Sequence, residues 1–482
     1  MKEKEKNVEL LGAAYDVWTA CAALRKSRAR NKAFTYGNQL DDIVAYEGGI
    51  GITERQQIER MGRKPMTNNL MRQLVKSVVG HWRNKRRNAD IAAELREHYL
   101  SNSLDELDSR MLEEFLISGC ALQKVEMSRR LNTELPTVRN VNPNHFFINA
   151  ILDPRAYDCT IIGQLHSWSI GELIVNLACD DPERAAWLRL LYSDREAGSR
   201  ILGSAAAVGG DIAGGSQFWY ATDGRCRVVE VWTLEAHEAL RCYDPLRHDP
   251  YTIAIADRNR IEKENERRRR RKQAFIRTKW IVEQSWHCTW LSPMGDVLAR
   301  YRSPYSHGSH PYVINLYPLT DGEVHAFVED VIDQQKYINR LISVVDNVIE
   351  SSAKGVLLYP TTALPTGFTW ENLREAWRKP NGIIPYDSAE EIPRQFVTSG
   401  NPGGAHELLA LEMKLFQQIS GVSDALQGRT ASAAVGADLY RQQTDNSTAA
   451  LADVFDTFDA FTARRDAMLR TLAAAPAESP QE

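Results

Sequence analysis

The most regular signal in the 482-residue chain is helical. In residues 71–82 the apolar positions Met71, Leu74, Val75, Val78, Val79 and Trp82 recur at the three- and four-residue spacing of one helix face. Pro65, Thr67 and Asn68 precede that run and suit its start. A second helix is predicted from Met111, Leu112, Phe115, Leu116 and Leu122. The longest periodic run carries Val324, Phe327, Val328, Val331, Ile332, Ile338, Leu341, Ile342, Val345, Val348 and Ile349. It predicts one helix from about Glu323 to Ser352, roughly 45 Å long at 1.5 Å per residue. Asp321 would cap it and Gly355 would lie just past its end. Two more helices are predicted near the end of the chain. One carries Leu408, Leu409, Leu411, Leu415, Phe416 and Ile419, and the last carries Leu451, Val454, Phe455, Phe458, Met468 and Leu472.

Other stretches read as β-structure. After Asn140 the run VNPNHFFINAILDPRAYD is rich in turn and strand formers, and 161–168 (IIGQLHSW), 227–232 (RVVEVW) and 355–359 (GVLLY) predict strands. Residues 275–318 set Trp280, Trp286, Trp290, Tyr301, Tyr312 and Tyr317 among turn residues, which predicts a small β-rich unit with tight turns. Gly198 to Gly215 has little bulk to pack and predicts a loop or insertion.

Composition narrows the class. A hydrophobic fraction of 43% and a charged fraction of 25% exclude wholesale disorder, and the length suggests two to four structural units. No run of eighteen apolar residues is present, so no membrane-crossing helix is predicted. The first eleven residues, MKEKEKNVELL, are charged and do not resemble a signal peptide. The seven cysteines are widely spaced with no C-x-x-C pair, which predicts reduced, mostly buried thiols in a cytosolic setting.

The formal net charge of −4 argues against a protein that grips nucleic acid over its whole surface. That small number conceals two blocks. Residues 257–279 hold eleven basic and four acidic side chains, including the run Arg267, Arg268, Arg269, Arg270 and Arg271. The predicted long helix, counted from Asp321, holds seven acidic residues against Lys336 and Arg340. This pattern predicts an antiparallel helical pair with a β tip whose opposite charges face each other, within or between subunits.

Catalytic and cofactor chemistry is not visible. The chain contains no Gly-Lys step, so a phosphate-binding P-loop is ruled out. Gly48-Gly49-Ile50-Gly51 follows no apolar strand, and G-x-S-x-G is absent. His237-Glu238 and His406-Glu407 lack the second histidine of a zinc helix, because Arg241 and Ala410 stand there. His307 and His310 in SHGSHP read as an exposed turn rather than a metal pair. No cofactor and no metal are expected.

The order of segments from Arg277 onward carries a resemblance. RTKWIVEQSWHCTWL, GDVLARYRSPYSHGSHPYVINLYP and DGEVHAFVEDVIDQQKYINRLISVVDNVIESSAKGVLLYP follow one another, with Pro311, Asp321, Gly322, Asp333, Gln335, Lys336, Asn339 and Ser343 at the telling positions. This passage resembles the clip-to-stem region of tailed-bacteriophage portal proteins, closest to the short-tailed branch. Residues 141–173 resemble a wing segment, and 419–443 resemble a glycine-bounded loop leading into a small-residue helix. The resemblance spans about Leu70 to Leu472, and a long helical barrel beyond the crown is absent.

It implies an α+β, predominantly helical portal-like fold that assembles as a ring, usually of twelve subunits. The regions it implies are a wing (1–250), a first stem helix (251–274), a clip (275–319), a second stem helix (320–353), a further wing part with the channel loop (354–430), and a short crown with the tail (431–482). Twelve copies at −4 give the ring about −48, which suits a channel that lets DNA slide rather than binding it.

The implied partners are further copies of the chain, double-stranded DNA, the terminase large subunit, a head-tail adaptor, the major capsid protein and scaffolding protein, with no membrane. The implied place is the portal vertex of a virion, after synthesis in the host cytoplasm. The implied channel loop is Thr398, Ser399, Gly400, Asn401, Pro402, Gly403, Gly404 and His406, with Gly421 to Gly436 as the other candidate. Arg267 to Arg271, Lys336 and Arg340 are candidates for DNA-facing or inter-subunit contacts. Trp286, Trp290, Tyr305, His307 and His310 are candidates for a docking surface on the clip. Two other readings of the chain are a nucleic-acid-binding scaffold or adaptor that uses the arginine run, and a metal-dependent nuclease.

Overall fold

A computed structural model describes residues 2–474 apart from 62–63, 88–90, 131–132, 179, 194–217, 220, 222–224, 248, 355, 379–382, 388–391, 397–402 and 423–447. In chain order the elements begin with α1 (Lys2–Ala20), α2 (Ala22–Tyr36), β1 (Ile43–Glu47), β2 (Ile50–Thr53), α3 (Glu54–Arg60), α4 (Leu70–Arg87), α5 (Arg96–Asn102) and α6 (Leu104–Ser118). Strands β3 (Cys120–Arg130), β4 (Thr133–Asn140), β5 (Phe146–Ile148) and β6 (Ile161–Trp168) follow, then α7 (Ile170–Leu177) and α8 (Pro182–Ser193). Next come β7 (Cys226–Tyr243), β8 (Tyr251–Ala254), α9 (Arg258–Arg270), β9 (Arg277–Leu291), β10 (Val297–Arg302), β11 (Tyr312–Leu316), β12 (Pro318–Thr320) and β13 (Glu323–Val324). The chain continues through α10 (Ile332–Lys354), β14 (Val356–Leu358), α11 (Trp370–Arg378), β15 (Arg394–Phe396), α12 (Gly403–Ser420) and α13 (Ala452–Ala474). The class is α+β.

Two compact units form. The first comprises residues 1–32, 75–329 and 448–482, and the second comprises 33–74 and 330–447.

The first unit is organised by β7 and β9, which pair antiparallel from Val229↔Leu291 to Tyr243↔Arg277. They sit inside a sheet of order β10-β9-β7-β6-β5, with β8 also on β7. The near-continuous apolar run of RVVEVW follows from burial on both faces. Val229 and Val231, with Leu165 and Leu291, face Leu11, Ala14 and Trp18 of α1. Val228 and Trp232 face the opposite way, into a core shared with α7, α8 and the three-stranded sheet β11-β3-β4. Beyond Leu234 the ribbon leaves this core, and residues 277–284 of β9 are largely exposed.

Residues 275–319 therefore do not form a unit of their own, contrary to the sequence expectation. β9 and β10 complete the large sheet, while β11 pairs with β3. An alternating aromatic run identifies strands, but nothing in it specifies their partners.

Other boundaries also move. The second predicted helix stops at Gly119, whose φ of 67° is a left-handed cap, so Leu122 lies on β3 instead. The predicted helix from Glu323 starts only at Ile332, because Glu323 and Val324 pair with β12 as β13, across a turn at Asp321 and Gly322, and Phe327–Val331 form a 3-10 helix. Gly355 lies outside the described residues, as do 475–482 of the tail and the Gly198 to Gly215 stretch.

The last helix, α13, packs on β3 and β11 in the first unit. Phe455, Phe458, Phe461 and Leu469 are buried there, and the Trp82 indole N–H donates to Asp459 at 2.9 Å. Arg465 is fully buried, with Nη1 and Nη2 bonded to the two Asp108 carboxylate oxygens at 2.7 and 3.0 Å and Nε bonded to Asp466 at 2.6 Å.

The second unit is held by side-chain amides. Gln335 and Asn339, both buried on α10, bond the backbone at the start of α4. Gln335 accepts from the Leu70 N–H at 3.1 Å and donates to the Asn68 carbonyl at 2.6 Å, and Asn339 accepts from the Asn68 N–H at 3.0 Å. Asn339 also donates to Gln39 at 2.7 Å. The α4 start predicted from Asn68 is thus a tertiary contact as well as a local one.

Two substitutions test this packing. A Cβ at Gly163 on β6 would lie 2.1 Å from the Glu230 carbonyl and 2.4 Å from the Phe147 ring, so Gly163→Ala is expected to destabilise the first unit by about 3 kcal/mol or more. Arg465→Met strands two buried carboxylates and is expected to cost about 3–5 kcal/mol. Urea unfolding followed by tryptophan fluorescence measures both.

Candidate functional site

The residues expected on a docking surface are mostly core. Trp286 and Trp290 are 9% and 8% exposed, and the Trp290 indole N–H donates to the Tyr301 hydroxyl at 3.0 Å. Tyr305 is half-buried and stacks on Trp232. His310 is buried rather than exposed, with Nδ1 accepting from the Tyr312 N–H at 3.2 Å and the Trp286 ring edge-on at 4.8 Å. His307 is half-buried, and its Nδ1 accepts from the Ser309 N–H at 3.1 Å. The physical reason is shared: the strand pairing turns this aromatic face inward.

Beneath them lies a buried ionic cluster that the sequence did not reveal. Glu230 on β7 accepts from Lys124 Nζ at 2.9 Å and from the Trp232 indole N–H at 2.8 Å, with His166 Nε2 at 2.7 Å. Lys124 also meets Glu126 at 2.8 Å. Burial pushes the Glu230 carboxyl up, but Lys124 and His166 outweigh it and hold the group well below the usual carboxylate range. Burial pushes His166 down despite Glu230. These groups join two sheets, and their lone pairs and protons are committed to one another. Among the described residues no group of three His, Cys, Asp or Glu side chains is placed to hold a metal.

The arginine run divides. Arg268 is buried, and its Nη1 and Nη2 meet the two Asp244 oxygens at 2.6 and 2.8 Å. Hydrogen bonding to Arg268 holds Asp244 down at about 2. Arg267 is exposed beside Glu264, and Arg269, Arg270 and Arg271 are exposed at the end of α9. Arg268 is therefore a structural clamp. Lys336 likewise bonds Asp42 at 2.6 Å within the second unit, whereas Arg340 is exposed on α10.

Helices α9 and α10 belong to different units, so the helix–β–helix arrangement expected at 257–352 has to be sought elsewhere. It occurs within the second unit. The chain passes out along α10, through the antiparallel pair β14–β15 with α11 between them, and back along α12, which packs on α10. Leu358, Trp370, Ile383, Tyr386, Ile392 and Phe396 are exposed at its β end. Val344 and Ile349 on α10, and Leu411, Met413 and Ile419 on α12, are exposed along its length.

Thr398 to Pro402 of the expected channel loop, and 423–436 of the other candidate, lie outside the described residues. Gly403, Gly404 and His406 are helical rather than loop, in the first turns of α12, where the helix-favouring run from Ala405 extends back over them. The described cysteines are unpaired, and all but the half-buried Cys21 are buried. No described helix is long and apolar enough to cross a membrane.

The structure generates one pH prediction. Burial lowers His310 from its ordinary 6.5 to about 3, so it is neutral when folded and takes up a proton on unfolding in mild acid. Its contribution to stability is complete above pH 6.5 and is lost as pH falls toward about 3. The stability lost between pH 7 and pH 5 is expected to shrink by about 2 kcal/mol in His310→Gln, measured by urea unfolding at both pH values.

A family model described as Phage P22-like portal protein matches residues 182–468, which include the β7–β9 ribbon, α10, β14–β15, α12 and most of α13. No curated protein matches the chain.

Proposed function

The chain belongs to the Phage P22-like portal protein family, and from that membership we propose that its copies close into a ring around a passage for double-stranded viral DNA. The observation that carries the reading is the helix pair of the second unit with its β end. We assign α10 and α12 as the stem and residues 356–396 as the clip, in place of the 251–353 arrangement expected from sequence. A free chain that leaves Leu358, Phe396, Val344 and Leu411 in water has apolar surface to bury, and neighbouring copies supply the cover. Ring closure requires two different faces of each subunit to meet, and a helix pair with apolar side chains on both members provides them.

The passage also has to release what it admits. Among the described side chains the exposed charges of α10 and α12 include Asp333, Asp346 and Glu407 alongside Arg340 and Lys414, a mixture that forms no continuous cationic track there. This supports sliding during packaging and ejection. On the same reading the chain is a structural protein of the capsid vertex, and the apolar β end is where terminase and the head-tail adaptor dock in turn. The major capsid protein and scaffolding protein would meet other surfaces.

Light scattering of the purified chain is expected to give about 650 kDa, twelve times the 54.5 kDa subunit, with negative-stain images showing rings pierced by a hole. Val344→Asp combined with Leu411→Asp is expected to shift the mass toward one subunit while circular dichroism stays unchanged. A wild-type chain that remains at 54.5 kDa under all conditions would overturn the ring.

A further inference from the structure

We propose that the outer end of the β7–β9 ribbon is a second nucleic-acid surface, one that holds duplex phosphate instead of letting it pass. It is formed by Arg241, Lys279 and Arg277 on one face of the strands and, across the tip of the ribbon, by Arg269, Arg270 and Arg271 at the end of α9 on the other face. The case begins with alternation along β7. Cys242 is fully buried against Ile261 and Ile276, so α9 covers that face of the ribbon. Arg241 and Tyr243 point the other way, with Lys279 and Arg277 directly opposite them on β9. All four are exposed.

Arg241 facing Lys279 is a like-charge cross-strand pair, an arrangement that destabilises a sheet unless an anion lies over it. The arginines of α9 have another available explanation, since cations at a helix C-terminus favour its dipole. The strand cations gain nothing from that dipole, so the explanation does not extend to them.

The helix end is also built to a fixed shape. The bidentate Arg268–Asp244 pair ties it to the chain leaving β7. Asn265 ties it to the start of β9, donating to the Ile276 carbonyl at 3.0 Å and accepting from the Ile276 N–H at 2.8 Å. The Gln273 N–H closes the last turn on the Arg268 carbonyl at 3.0 Å. Arg269, Arg270 and Arg271 therefore project from a fixed end.

Phosphate is the anion that fits best. The surface is mostly guanidinium, whose planar fork matches phosphate oxygens, with Tyr243 exposed beside the strand cations and Phe275 exposed beyond the end of α9. That the phosphate belongs to duplex DNA rests on the portal reading, which surrounds the protein with packaged genome.

Anisotropy of a fluorescent duplex of about 25 base pairs, titrated with the full-length chain between about 50 and about 200 mM salt, tests the proposal. The wild-type slope of log K against log salt is expected near −5, about −0.9 per phosphate neutralised. Arg241→Gln with Lys279→Gln is expected to make the slope shallower by about 2, and Arg269→Gln, Arg270→Gln with Arg271→Gln by about 3. Each should lose tenfold or more in affinity at an unchanged particle mass. Wild-type slopes in both variants would overturn the proposal. Displacement of the duplex by polyglutamate as effectively as by unlabelled duplex would also overturn it, marking an acidic-protein surface instead. If the strand variant fails to fold, the helix variant decides alone. Rings without an effect of the substitutions sink this inference and leave the portal reading intact; altered slopes without rings do the reverse.

Discussion

Glu230 has no exposed surface, and a carboxylate in that position has to be neutralised where it stands. Lys124 comes from the three-stranded sheet, while His166 and Trp232 come from the six-stranded one. The charge pair therefore joins the two sheets at one buried point. Removing either partner strands the other in an apolar interior, so the pair is best regarded as a specifier of geometry and not as a source of net stability.

That constraint explains why the aromatic stretch 275–318 is misleading when read alone. Its period of two is genuine, and β9, β10 and β11 are strands. Whether Trp286 faces water or core depends on β7 and β3, which lie far away in the chain. The helices were more legible, because an apolar face such as Met71, Leu74, Val75 and Val78 carries its own period. α1 escaped notice because its buried face relies on Leu11, Ala14 and Trp18, of which alanine is too small to mark a stripe. Arg465 escaped because an arginine in an amphipathic helix ordinarily points to solvent, and its bidentate partner Asp108 is distant in sequence. The stop at Gly119 was readable, since a glycine after Ser118 is the usual mark of a left-handed cap.

The motif that carried the resemblance has a local physical meaning. Gln335, Lys336 and Asn339 pin the backbone at Asn68 and Leu70 and the side chains of Gln39 and Asp42. Their spacing is a requirement of the second unit's packing and says nothing directly about DNA. The candidate DNA-facing role of Lys336 therefore gives way to an internal ion pair.

The order of the chain has a consequence for synthesis. The first unit takes its material from 1–32, 75–329 and 448–482, with most of the second unit made in between. Until α13 leaves the ribosome, Asp108 has no guanidinium to meet and the outer face of β3 and β11 stays bare. A prematurely terminated product therefore cannot complete its first unit, however well its earlier segments fold.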